Sequence, residues 1–176
     1  MKRLACILTA LIALAGGATY VAPALGGSDG AAAPVFGIKL PEGYRDWRLI
    51  SVAHEEGKLN DLRAILGNDI AFEAARMGQL PYPDGSIIAR LAWNYEPLPE
   101  SKAAFGEAQS HVAGHPKNGV QFMVKDSKKF AATGGWGFAV FNDGKPADEK
   151  LHNTCFACHQ AAAAPSSDLV FNRYAP

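Results

Sequence analysis

Cys155-Phe156-Ala157-Cys158-His159, close to the C-terminus, constrains this chain more than any other stretch. It reads C-x-x-C-H, the attachment signature of a c-type haem. The two thiols would add to the haem vinyl groups, and the neighbouring imidazole would take one face of the iron. One such motif predicts one haem, so the fold must supply a dry pocket for a large flat group. Other readings of the motif are weaker. A redox C-x-x-C would sit early, after a strand and at the start of a helix. A disulfide between cysteines so close is uncommon, and a zinc site needs a fourth ligand.

The other end of the chain agrees with haem attachment outside the cytoplasm. Met1-Lys2-Arg3 precedes an apolar run from Leu4 to Ala15, and Ala22-Pro23-Ala24 is an A-x-A-like exit. That is a secretory signal peptide over residues 1–24, with a membrane helix as the alternative. Cys6 would leave with it, so only the two motif cysteines remain. The expected location is a bacterial periplasm, with no membrane span after cleavage. Residues 25–38 are small and featureless and read as a flexible tether. Residues 39–176 are a single-domain length. The chain carries 17 basic and 17 acidic residues and no basic stripe, which argues against nucleic acid.

Patterning predicts an α+β domain with a mainly antiparallel sheet of about five strands and short helices. Strands are expected at Trp47–Ala53, Leu62–Leu66, Ser86–Tyr95, Gly119–Lys125 and Trp136–Phe141. In the third, Ile87, Ala89, Leu91 and Trp93 share one face, and Ile88, Arg90 and Ala92 the other. In the fourth, Val120, Phe122 and Val124 oppose Gln121 and Met123. A helix is expected from an N-cap at Asn68-Asp69 to Gly78, and a short one from Asp126 through Phe130 to Gly134-Gly135. Pro81, Pro83, Asp84 and Gly85 make a turn. The polar stretch from Ser101 to Asn118 reads as a long loop with one helical turn. This β-rich pattern differs from ordinary c-type electron carriers, which are mostly helical and carry C-x-x-C-H near their start.

Six stretches together resemble the cytochrome P-460 family, including its cytochrome c′-beta members. They are Leu40–Trp47, Asp84-Gly85-Ser86 with the strand after it, Val124–Phe130, Gly135–Phe141, Cys155–His159 and Leu169–Tyr174. The late motif, the Trp-Phe strand and the Val-Phe-x-Arg-Tyr tail carry most of the specificity. The resemblance implies one haem ligated by His159, an iron face left open or holding water, and a homodimer. It also implies activity on nitric oxide or hydroxylamine, or binding of such small ligands, with an unidentified periplasmic electron partner.

Hydroxylamine-oxidising members bond a lysine to the haem edge. In this alignment that lysine falls at Arg90, whose guanidinium is a poor nucleophile, so no cross-link is expected. Their distal glutamate falls near Gln121, and an amide cannot take a proton as a carboxylate can. Arg90 and Gln121 are thus the candidate distal residues, with Arg90 as a hydrogen-bond donor to a bound anion or a propionate. A distal arginine also keeps peroxidase chemistry open. His54, His111, His115 and His152 read as surface residues, and Met77 and Met123 as core filler. Phe72, Phe122, Phe138 and Phe141 are expected to dry the pocket. The competing reading is a six-coordinate electron carrier, which needs a methionine or histidine opposite His159.

Overall fold

A computed structural model describes residues 30–164 and 166–176. The expected signal peptide lies outside the described residues. Among these residues the chain builds one antiparallel sheet of seven strands with three helices. The strands are β1 (Arg48–Glu55), β2 (Asp61–Gly67), β3 (Ile87–Pro97), β4 (His111–Pro116), β5 (Val120–Lys125), β6 (Trp136–Asn142) and β7 (Lys145–Pro146). The helices are α1 (Asp69–Met77), α2 (Glu100–Phe105) and α3 (Glu149–Ala162). The expected mainly antiparallel α+β class holds. No helix among the described residues is long and apolar enough to cross a membrane.

The sheet order is β1-β2-β3-β5-β6-β7, with β4 also paired to β3. β3 is long enough to hold two partners on one edge. Ile87 to Arg90 pair with β5, and Trp93 to Pro97 pair with β4. β4 replaces the His111–Pro116 part of the loop expected over Ser101–Asn118, and α2 supplies its helical turn. His-Val-Ala-Gly-His-Pro has no apolar alternation, because β4 is a largely solvated strand whose order comes from pairing with β3. The short helix expected after Asp126 is instead a turn and a 3-10 segment, Ala131–Thr133. Asp126 closes the turn, accepting from the backbone N–H of Lys128 and Lys129, and the 3-10 segment itself follows Phe130 with no side-chain cap.

The period-two patterns sort the two faces as expected. Ile65, Ile88, Met123 and Phe138 lie on one face, with α1 and Val170 packed against them. Leu66, Ala89, Leu91, Phe122 and Phe141 lie on the other. That second face is covered by the N-terminal segment. Ala33 and Ile38 are buried there and Phe36 packs edge-on against Phe130, while the Phe36 ring also meets Phe138 of the first face. The packed unit therefore reaches back to Ala33, which shortens the expected tether at its C-terminal end.

α1 begins where the sequence placed its cap. Asn68 Oδ1 accepts from the N–H of both Ala71 and Ile87, and its Nδ2 donates to Gly85 O. One side chain thus starts the helix and ties it to the β3 turn. Gly78 ends the helix at φ 64°, a left-handed cap. In β1 the pairing slips between Leu49 and Ser51. The bulge turns Ile50 into the core, and its carbonyl then accepts from Ala175 N at 2.9 Å. The C-terminal tail is pinned to the sheet by that bond.

Candidate cofactor site

α3 carries the C-x-x-C-H motif and lies against β6. Asp148 caps it, accepting from Leu151 N at 2.8 Å. His152 then locks the helix to the sheet. Its ring is 1 % exposed, Nδ1–H donates to Asp148 O at 2.7 Å, and Nε2 accepts from Val140 N at 3.1 Å. This corrects the surface assignment of His152. The residue is structural, and both ring nitrogens are engaged.

At helical spacing, Leu151, Thr154, Cys155, Cys158, His159 and Ala162 turn the same face of α3 to a cavity of about 930 Å³. The sheet forms its other wall, including Ile65, Ile88, Arg90, Gln121, Met123 and Phe138. The five residues singled out from sequence, Arg90, Gln121, Cys155, Cys158 and His159, therefore line one space. Arg90 and Gln121 are direct cross-strand partners of β3 and β5.

Of the four phenylalanines expected around the cofactor, Phe138 stands closest to the histidine, its ring centroid 4.9 Å from that of His159. Phe122 reaches the cavity but belongs to the opposite core, with Phe141 and Tyr44. Phe72 packs under α1 against Tyr174. The reason is strand parity: 122 and 138 are both even, but antiparallel pairing sets Met123 opposite Phe138 and Phe122 opposite Ala139. Phe171, from the tail, also packs on the imidazole, with ring centroids 4.6 Å apart.

The imidazole of His159 is oriented by the backbone. Nδ1–H donates to Leu169 O at 2.8 Å, which leaves Nε2 as the ring's free donor atom. Burial lowers the His159 pKa, partly opposed by that carbonyl, so the neutral, metal-binding form is favoured. Cys155 is half-buried and Cys158 exposed, and among the described residues neither is in a disulfide. Burial, and then Cys158, raise the Cys155 thiol. A nitrogen donor with its tautomer fixed, two free thiols on the same helix face and a large, mostly apolar cavity fit a covalently held haem.

Across the cavity lies a charged cluster. Asp61 is fully buried and accepts from Arg63 Nε at 2.6 Å and from Arg90 Nη2 at 3.1 Å. Arg63 also pairs with Glu55. Arg90 Nη1 is buried with no partner. Burial, then Arg63, lower the Arg90 pKa, and Asp61 and Glu55 oppose this. Sequence reading missed Asp61, Arg63 and Glu55. The available signal was the alternation Asp61, Arg63, Ile65, which puts two charges on the face that carries a core isoleucine.

Among the sixth-ligand candidates, Met123 lines the cavity, whereas Met77 lies on the surface, 62 % exposed. His54, His111 and His115 are not in the cavity lining. His54 and His111 instead sandwich Tyr95, with centroids 4.2 and 4.1 Å away.

The family model described as Cytochrome P460 matches residues 41–172, most of the chain and all of the cavity wall described above. A comparison with curated proteins gives no match.

Proposed function

The chain belongs to the cytochrome P460 family of mono-haem c-type cytochromes, and from that premise we propose that it binds or redox-converts small nitrogen oxides, chiefly nitric oxide, at an open iron face. The observation that carries this reading is the hydrogen bond from His159 Nδ1 to Leu169 O. It commits one nitrogen and leaves Nε2 as the atom that would bind the iron of a haem held here, on the same cavity as Arg90 and Gln121.

When bound, haem supplies a one-electron redox centre and a site for a diatomic ligand. The chain supplies the rest. Cys155 and Cys158 would hold the group, and His159 would bind its iron. Phe138 and Ile88 keep the pocket apolar. Arg90 Nη1 is the free donor for an oxygen of the bound ligand, while Asp61 holds the same guanidinium in place through Nη2. Gln121 offers an amide beside it, able to donate or accept a hydrogen bond but not to take a proton at neutral pH. Without a basic distal group, and with an arginine at the position of the cross-linking lysine, hydroxylamine oxidation is the less favoured activity. Function in the periplasm, as a homodimer, completes the proposal.

One observation favours a second reading. Met123 lines the cavity and is 8 % exposed, so a thioether is within the site. Methionine ligation would give a six-coordinate electron carrier. The absorption spectrum of reduced protein, before and after nitric oxide or carbon monoxide, separates the two. A high-spin spectrum that shifts promptly on ligand addition supports the open site. A low-spin spectrum that ignores ligand, and becomes high-spin in Met123→Leu, replaces it with electron transfer.

A further inference from the structure

The carbonyl that orients His159 sits in an unusual piece of backbone. Asp168 and Leu169 are consecutive non-glycine residues at φ 53° and φ 64°. Side chains resist this left-handed region, so the turn needs outside support to persist. The support is a buried ion pair. Lys125, 5 % exposed at the end of β5, donates from Nζ to Asp168 Oδ1 at 2.8 Å and Oδ2 at 3.0 Å. The ammonium also donates to Gly134 O at 3.2 Å and lies 4.9 Å from the Trp136 ring centroid. Asp168 Oδ2 accepts from Tyr82 N at 2.8 Å. The turn is thereby fastened to β5, to the segment after β5 and to the turn before β3.

We propose that Lys125 and Asp168 are positioning residues for the proximal ligand. Their ion pair fixes the strained turn so that Leu169 O meets His159 Nδ1–H. This rests on the reading of His159 as the iron ligand. Accepting that N–H raises the basicity of the imidazole, which strengthens its bond to iron and favours the ferric state. The pair therefore sets iron–histidine bond strength and reduction potential from the far side of the proximal turn, without touching haem or ligand.

The test uses haem-loaded protein with Asp168→Asn, Lys125→Met and the double variant Lys125→Met/Asp168→Leu. Each is read by the iron–histidine stretching band in resonance Raman and by redox titration. Single variants leave a buried charge and will lose stability. The double variant removes both charges and is expected to regain it. All three should show a lower stretching frequency. Their preference for ferric iron should fall about tenfold, seen as a rise of about 59 mV in potential. A stable double variant with the parent's band and potential overturns the inference and leaves the pair a purely structural element. In parallel, His159→Ala tests the underlying reading: if it keeps the parent's iron–histidine band, His159 is not the ligand and that reading falls first.

Discussion

Asp61→Ala is the perturbation whose consequence follows most directly from the geometry. The carboxylate is fully buried and takes three hydrogen bonds, from Arg63 Nε at 2.6 Å, Arg63 Nη2 at 3.4 Å and Arg90 Nη2 at 3.1 Å. Both arginine side chains are only 17 % exposed, so neither can turn freely into water. Breaking such a pair by removing one partner typically costs about 3–5 kcal/mol, because a buried charge is left uncompensated. Arg63 keeps Glu55, whereas Arg90 loses its one carboxylate, so the expected loss is at the lower end, about 3 kcal/mol. With a urea slope of about 1.5 kcal/mol/M, the unfolding midpoint should fall by about 2 M. Denaturant titration of parent and variant, both haem-loaded, measures it. The companion Asp61→Leu/Arg90→Met deletes both members and should recover most of the loss. A drop below about 1 kcal/mol for Asp61→Ala would place the cluster with exposed ion pairs and refute the argument.

Replacing Cys155 and Cys158 by alanine should abolish covalent haem; haem that stays with the chain on a denaturing gel would sink the assignment. His152→Ala removes the ring between α3 and β6 and strands the buried N–H of Val140, at a cost of about 2–4 kcal/mol in denaturant unfolding. Gly137→Ala would set a Cβ within 2.5 Å of the Phe130 ring, and the overpacking should cost about 1–3 kcal/mol by the same assay. Asp84 accepts from the hydroxyl and the backbone N–H of Ser127, which hold its pKa below the usual carboxylate range. Its contribution is fully present above the unfolded-chain value, about 4, and is lost as pH falls through the lower folded value. Asp84→Asn should therefore flatten stability against pH in that acid window and leave its slope near neutrality unchanged.

Where local rules govern, the sequence was legible. The Asn68 cap, the Gly78 stop and the alternating faces of β3 and β5 stand as read, because each is decided by a few neighbouring residues. β4 was not legible. Its six residues lack alternation, and only the free edge of the long β3 makes them a strand. His152 looked like a surface residue because its two partners, Val140 N and Asp148 O, are backbone atoms that leave no compositional trace. The charged cluster was missed in part for a related reason: Asp61 and Arg63 are near neighbours on β2, but Arg90 joins them only across the β2–β3 register.

By itself the sequence determined the fold class and the kinship, and it singled out Cys155, Cys158 and His159 as the residues proposed to hold the cofactor. These rest on residue identities at fixed short spacings, which chemistry and backbone periodicity read directly. The tertiary structure decided which phenylalanine approaches the imidazole, which arginine nitrogen stays free and which backbone carbonyl orients His159. Those depend on strand register and on the strained turn at Asp168 and Leu169. Both are set by long-range pairing, where one residue of slip would carry every side chain to the opposite face.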